Sequence, residues 1–204
     1  MDQVDQALEI YRQNLETFAV FTDEEWLIFR HYLQHKTLKK KGFFIEAGQV
    51  CNEISFIVSG SVRFYHVKDG EEITSFFCLD HEFVSSYKSF LTRQPSITYV
   101  QALENVQLIT FTHAGLQHML KNEKLAYKME RFGRLVAEYL ICCYEDRVAD
   151  FVIKTPEERY LKLLQSGTNI LQRIPQHYIA QYLGVTPVSL SRIRKRICKV
   201  ESKV

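Results

Sequence analysis

The sequence predicts an α+β fold in which a β-roll of jelly-roll type is followed by one long helix and a C-terminal helix-turn-helix. Three observations indicate this order. Residues 42–111 are short β-branched and aromatic runs separated by turn residues, a long helical pattern starts at residue 125, and residues 175–197 read as two short helices joined by a tight turn. The predicted domains are a β-roll domain 1–115, a long helix 116–153 and a helix-turn-helix domain 154–204.

The stretch from Pro175 to Ile197 matches a helix-turn-helix at each constrained position. Gly184 lies where the first helix must end, a place that calls for positive φ. Thr186 then supplies an N-cap hydroxyl, and Pro187 is suited to the first helical position. The alternative is a helical hairpin whose arginines are merely solvated. The apolar positions that would form a shared buried face are Ile179, Leu183, Val185, Leu190 and Ile193.

Positive charge is concentrated at the C-terminal end. Residues 170–204 hold seven Lys or Arg and one Glu, a balance of +6, so residues 1–169 carry −4 within the chain total of +2. Such a cluster beside a helix-turn-helix is the electrostatic footprint of a DNA-binding surface. The residues expected to contact DNA are Gln176, Thr186, Pro187, Val188, Ser189, Ser191, Arg192, Lys195 and Arg196.

Composition excludes several other classes of protein. No apolar run is long enough to cross a bilayer and the polar start MDQVDQ differs from a signal peptide, so a cytoplasmic protein without a membrane partner is expected. The five cysteines form no C-x-x-C pair and have no histidine at metal-ligand spacing, which argues against a structural disulfide or metal site. Without a nucleophile–base pair or a phosphate-binding glycine loop, neither an enzyme nor a cofactor is expected.

Local signals predict the remaining elements. A helical stripe runs from about Val4 to Leu15, and Thr22 with Glu25 can form a capping box at the start of a second helix. Asp69-Gly70 is a hairpin signal because both residues tolerate positive φ. The expected strands are Phe43–Ile45, Ile54–Val58, Val62–Val67, Ile73–Phe77, Ile97–Val100 and Val106–Phe111.

The long helix carries apolar residues at alternating spacings of four and three, which is a heptad pattern. This pattern indicates pairing with the same helix of a second copy. The alternative is one broad amphipathic stripe that packs on its own domain. Thr155-Pro156 has the cap and proline of a new helix start, so the long helix should end before it. The predicted dimer seam consists of Leu125, Met129, Phe132, Val136, Tyr139 and Cys143.

Taken together, these elements resemble the Crp/Fnr family of bacterial transcription regulators. The resemblance rests on FIVSGSVRFY (Phe56 to Tyr65), the long helix, TPEERYLKLL (Thr155 to Leu164) and the helix-turn-helix. It implies a homodimer on a two-fold symmetric site in double-stranded DNA, a sensor β-roll with a small-molecule effector, and RNA polymerase as a partner. The alternative function is a small-molecule-binding regulatory module that acts through a protein partner without binding DNA.

The effector positions depart from the family pattern. Members that bind cyclic nucleotides hold the ribose with a Gly-Glu pair and the cyclic phosphate with an Arg-Ser pair, whereas the matching positions here read Ser85-Ser86 and Ser96-Ile97. The charged contacts are therefore lost, and Arg93 has the wrong spacing to replace them. The sequence therefore argues against cyclic AMP binding of the usual kind. The residues assigned to the effector pocket are Ser85, Ser86, Arg93, Ser96 and Ile97.

The second helix of the helix-turn-helix also departs from the family. Some members read their site with an Arg-Glu pair at its start, where this chain has Pro187-Val188, while the later arginine is retained as Arg192. A different target sequence is therefore expected.

Overall fold

A computed structural model describes residues 2–165 and 170–201. The chain forms two compact units, the first made of Met1–Phe64 and Phe77–Ile141, the second of Tyr65–Phe76 and Cys142–Val204. The helices are α1 (Gln3–Leu15), α2 (Asp23–Arg30), α3 (Tyr87–Thr92), α4 (His113–Lys121), α5 (Ala126–Ile153), α6 (Pro156–Gln165), α7 (Ile170–Arg173), α8 (Gln176–Tyr182) and α9 (Pro187–Glu201). The strands are β1 (Gln34–Leu38), β2 (Phe43–Ile45), β3 (Glu53–Ser59), β4 (Val62–Lys68), β5 (Glu71–Cys78), β6 (Phe83–Val84), β7 (Tyr99–Ala102) and β8 (Val106–Thr112).

The predicted β-roll is confirmed as two four-stranded sheets. Their strand orders are β1-β8-β3-β6 and β2-β7-β4-β5. The register of β3 on β8 shifts between Ile57 and Ser59, which leads into Gly60 at a φ of 114°. A Cβ on Gly60 would lie 2.8 Å from the carbonyl oxygen of Asn105, so only glycine allows this close approach.

Most of the predicted strands lie within two residues of the observed ones, and the Asp69-Gly70 hairpin joins β4 to β5 with both residues at positive φ. Sequence reasoning missed β1, β6, α3, α4 and α7. Strand β1 reads Gln-His-Lys-Thr-Leu and lies at a sheet edge, so it carries little of the apolar signal by which strands are recognised. The other four elements are short and depend on tertiary contacts.

The core of the first unit is an aromatic cluster between α1, α2 and the sheet that contains β3. Tyr11 lies at its centre, with ring centroids 5.2 Å from Phe56 and 6.1 Å from Phe29. The predicted capping box at the start of α2 is present, since the Glu25 amide donates to Thr22 Oγ1 at 3.3 Å and the Thr22 amide to Glu25 Oε2 at 2.7 Å. These contacts fix α1 and α2 as packing elements.

The second unit contains the C-terminal helices. The predicted start of α6 is confirmed: Thr155 Oγ1 accepts from the Glu158 amide at 3.3 Å, and Glu158 Oε2 accepts from the Thr155 amide at 2.7 Å. Among the described residues, no helix is both long and apolar enough to cross a bilayer.

Replacing Gly133 by alanine should stabilise the protein. Gly133 lies inside α5, beside an apolar cavity of about 60 Å³ that Met129 and Phe132 also line, and a Cβ built on it meets no atom within 4 Å. Gly133→Ala should therefore raise the free energy of unfolding by about 0.5–1 kcal/mol, because alanine restricts the unfolded chain and has room in the native state. Urea denaturation measures this, with Gly60→Ala as a control that should destabilise. No gain for Gly133→Ala would contradict the assignment.

Candidate functional site

The turn between α8 and α9 is built by a glycine C-cap of the Schellman type. Gly184 has a φ of 70°, its amide donates to the Gln181 carbonyl, and the Val185 amide donates to the Ala180 carbonyl, both at 2.9 Å. These bonds satisfy two of the carbonyls that the end of α8 leaves free. The position that the sequence assigned to a left-handed residue is therefore confirmed.

The start of α9 also follows the prediction. Thr186 Oγ1 accepts a hydrogen bond from the Ser189 amide at 3.2 Å, and Pro187 is the first helical residue. Three inward side chains at helical spacing, Leu190, Ile193 and Ile197, are at most 8% exposed. Together with Ile179, Ala180 and Leu183 of α8, they bury the face that the two helices share.

The opposite face of α9 is exposed and cationic. Val188, Arg192 and Lys195 lie at spacings of four and three, so they share one side of the helix. Val188 is 61% exposed, and within the part of the chain that the structure describes neither Arg192 nor Lys195 has a hydrogen-bond or ion-pair partner. Of the other predicted contacts, Pro187, Ser191 and Arg196 are exposed, whereas Ser189 is half-buried.

Two of the predicted contact residues already have intramolecular partners. Arg196 donates from Nε and a terminal nitrogen to Glu157 Oε2 of α6, at 3.0 and 2.5 Å. Gln176 Oε1 accepts from Arg194 at 3.0 Å, which ties the start of α8 to the exposed side of α9. The positive charge of Arg196 is thus partly offset, so Arg192 and Lys195 are the better candidates for contacts with a partner.

Two arginines hold the C-terminal end of α8. Arg147 of α5 donates to the Tyr182 carbonyl at 3.1 Å, and Arg159 of α6 donates to the Leu183 carbonyl at 2.9 Å. Cations are favourable there because the helix dipole leaves partial negative charge on its last carbonyls. Burial lowers the pKa of the Arg147 guanidinium from its ordinary value, yet arginine stays charged at neutral pH. Both guanidiniums also lie over the Phe151 ring, at 4.9 and 4.6 Å.

The predicted effector positions are brought together in the first unit, but their polar groups bond to the protein itself. Ser86 Oγ and Ser96 Oγ are 2.9 Å apart, and Ser96 Oγ also accepts from the Thr98 amide at 3.0 Å. Ser85 Oγ donates to the Glu53 carbonyl at 3.0 Å. Ile97 is 74% exposed. These hydroxyls therefore reinforce the loops on either side of α3.

Arg93 is bonded to other groups of the protein. It ends α3 in the left-handed region, with a φ of 58°. Its guanidinium donates to the carbonyls of Cys51 and Phe90, at 2.6 and 3.0 Å, and also bonds the Asn52 side-chain oxygen. The Arg93 guanidinium holds α3 against the segment before β3. It is therefore poorly placed to bind a ligand phosphate.

The first half of the predicted dimer seam lies inside the first unit. Leu125, Met129 and Phe132 are 0, 2 and 4% exposed and belong to the core around Tyr11. They cannot meet a second copy without leaving that core, so the alternative of a stripe packed on its own domain describes these residues. Val136 packs partly against the same core. The remaining two predicted residues are Tyr139, which is 56% exposed, and Cys143, which is half-buried.

A different apolar stripe of α5 is exposed. It consists of Ile141, Tyr144, Val148 and Val152, with 57, 59, 63 and 77% of their surfaces exposed. At 3.6 residues per turn these four positions fall within an arc of about 80°, on the side of the helix opposite Phe132. The helix thus has one set of apolar residues buried in the core of the first unit and a second set that is more than half exposed.

Sequence reasoning missed Arg147, Arg159 and Arg194. The basic run from Arg192 to Arg196 could have directed attention to Arg194, which is part of it. The other two are isolated arginines on α5 and α6, and no local pattern shows that they reach the end of α8.

Residues 35–123 match the cyclic nucleotide-binding domain family, and no curated protein matched the chain. The fold is similar to that of the c-di-GMP-responsive global regulator CLP of Xanthomonas campestris, with 14% identity, a TM-score of 0.65 and coverage of 86% of this chain and 91% of that one. It is also similar to FixK2 from Bradyrhizobium japonicum, with 17% identity, a TM-score of 0.65 and coverage of 83% and 86%. A CooA variant from Carboxydothermus hydrogenoformans has 15% identity, a TM-score of 0.64 and coverage of 88% and 82%.

The geometry around α3 does not fit a cyclic nucleotide held in the usual way. The serines offer no carboxylate and no cation, and Arg93 is engaged by three groups of the protein. We expect calorimetry to show no micromolar binding of cyclic AMP or cyclic GMP. Micromolar affinity that Arg93→Ala abolishes would contradict this expectation, because it would show that Arg93 leaves its present partners for the phosphate.

Proposed function

We propose that this chain, in which a cyclic nucleotide-binding domain at residues 35–123 stands within the fold of Crp/Fnr-type regulators, is a transcription regulator that binds a specific DNA sequence as a homodimer. The observation that carries the proposal is the exposed face of α9, where Arg192 and Lys195 extend from a helix anchored by a buried apolar face and a Schellman turn. A rigid helix with free cations on one side is the form that reads a major groove.

The residues of this face have distinct proposed roles. The Arg192 guanidinium reaches a guanine O6/N7 pair, and Val188 contacts a thymine methyl. Lys195 pairs with phosphate and gives affinity without sequence information. Gln176, Thr186 and Ser189 lie at the starts of the two helices, where free backbone amides favour phosphate contacts. Arg196 contributes less because Glu157 accepts its hydrogen bonds.

We place the homodimer contact on the exposed stripe of α5 rather than on the seam predicted from the heptad pattern. Ile141, Tyr144, Val148 and Val152 lie on one side of the helix and are each more than half exposed. Packing two such stripes against each other removes apolar surface from water at about 25 cal/mol per Å². A two-fold axis at α5 presents two reading helices to a palindromic site.

The first prediction of this proposal concerns base reading. Arg192→Ala should weaken binding by about 1–3 kcal/mol per half-site and relax discrimination at one base pair. Lys195→Ala should weaken all sequences alike and reduce the salt slope by about one unit per monomer. Selection from a random DNA pool, followed by affinity measurements at several salt concentrations, tests both. The proposal fails if no palindrome is enriched, and the assignment of roles fails if Arg192→Ala leaves both affinity and preference unchanged.

The second prediction concerns the dimer. Val148→Glu should shift the protein to monomer in light scattering while it stays folded, because Val148 is 63% exposed in the single chain. Leu27→Glu, at an exposed leucine of α2 outside the stripe, is the matched control and should leave the mass unchanged. Phe132→Glu should instead unfold the first unit, since burying an unpaired carboxylate costs several kcal/mol. A monomeric unaltered protein at micromolar concentration would contradict the proposal.

A further inference from the structure

Strand β5 lies at the edge of its sheet, with β4 as its neighbour in the strand order. An edge strand leaves every second amide without a partner strand, and such donors need water or another acceptor. Thr74 is one of these edge positions, although it is only 1% exposed. Water therefore does not satisfy it.

The acceptor for Thr74 is the side chain of Gln181 in α8. Gln181 Oε1 accepts from the Thr74 amide at 3.2 Å and from Thr74 Oγ1 at 2.7 Å. A carbonyl oxygen has two lone pairs, and this one is fully used by a single threonine. The Gln181 side chain thus supplies the hydrogen-bond acceptor that a neighbouring strand would otherwise supply to the Thr74 amide.

This contact joins the hairpin to the turn that orients α9. The Gln181 carbonyl is itself part of the Schellman turn, since it accepts from the Gly184 amide at 2.9 Å. Two residues along β5 from Thr74, and therefore on the same face, Phe76 packs against Tyr144 of α5 with ring centroids 6.3 Å apart. The tip of the β4–β5 hairpin, residues 65–76, thus contacts two other elements. Phe76 contacts Tyr144 in the exposed stripe of α5, and Thr74 contacts α8, the first helix of the helix-turn-helix.

We infer that Thr74 and Gln181 are positioning residues for DNA reading, and that the hairpin tip sets the angle at which α9 leaves α5. The inference rests on the proposed function and adds to it that the hairpin contact controls the orientation of α9. Arg147 and Arg159 hold the end of α8 against α5 and α6, and Thr74 holds it against the hairpin. In a dimer this angle determines the separation of the two reading helices, and so the half-site spacing that binds best.

Hydrogen exchange tests the contact without DNA. In the whole 204-residue chain, Gln181→Met removes the acceptor at nearly constant volume and should speed exchange of the Thr74 amide about tenfold, the equivalent of one lost hydrogen bond. Gln181→Glu keeps an acceptor oxygen and should retain the protection. Unchanged exchange at Thr74 in Gln181→Met would overturn the contact.

DNA selection tests the positioning role. The pool holds palindromes with one half-site sequence and a graded series of spacings. The unaltered protein should favour one spacing by about tenfold or more over its neighbours, whereas Thr74→Val and Gln181→Met should bind neighbouring spacings within about threefold, with the half-site preference unchanged. Gln181→Glu should restore the sharp spacing. Thr37→Val, at an exposed threonine of edge strand β1, is the matched control and should change nothing.

The outcomes separate the two proposals. A sharp spacing preference that survives in Gln181→Met overturns the positioning role while DNA binding stands. If the unaltered protein enriches no palindrome, the proposed function fails and the positioning role fails with it, while the exchange experiment still decides whether Thr74 and Gln181 are bonded.

Discussion

The burial of the first turns of α5 is the constraint on which the rest of the molecule depends. Leu125, Met129 and Phe132 close the aromatic core that α1 and α2 begin, so the helix is anchored before it leaves the first unit. Burying each of these side chains stabilises the fold by about 1.5–3 kcal/mol relative to exposure. Further along the same helix, Ile141, Tyr144, Val148 and Val152 are each more than half exposed. The helix thus completes the core of the first unit and also carries an exposed apolar stripe.

Helix α9 is held by contacts at the end of α8 as much as by its own buried face. Arg147 and Arg159 donate to the last carbonyls of α8, and Gly184 turns the chain at positive φ. Charge-assisted bonds to a helix end hold it in place with little flexibility, and a glycine C-cap admits few backbone conformations. The direction in which α9 extends is therefore set by elements distant in sequence. Substitutions at these distant contacts can therefore change the orientation of α9 without changing its exposed side chains.

The region that matches the cyclic nucleotide-binding domain family keeps the strands of a β-roll, although the polar side chains around α3 bond to the protein itself. Ser86 and Ser96 bond each other, and Arg93 bonds the backbone of Cys51 and Phe90. Buried hydroxyls and guanidiniums need partners whether or not a ligand is present, and here the protein supplies them. The polar groups around α3 thus have hydrogen-bond partners within the protein.

Features that local chemistry encodes could be predicted from the amino-acid sequence. Gly184, Thr186 and Pro187 mark a turn and a helix start through φ preference and capping, and Asp69-Gly70 marks a hairpin, so these elements could be read without coordinates. The exposed side of α9 followed from the spacing of Leu190 and Ile193. Tertiary structure alone decided which apolar face of α5 meets the core, because a heptad pattern is the same whether it packs on its own domain or on a partner. It also decided that Gln181 meets Thr74. These residues are 107 positions apart, and no local sequence pattern around either one indicates the hydrogen bond between them.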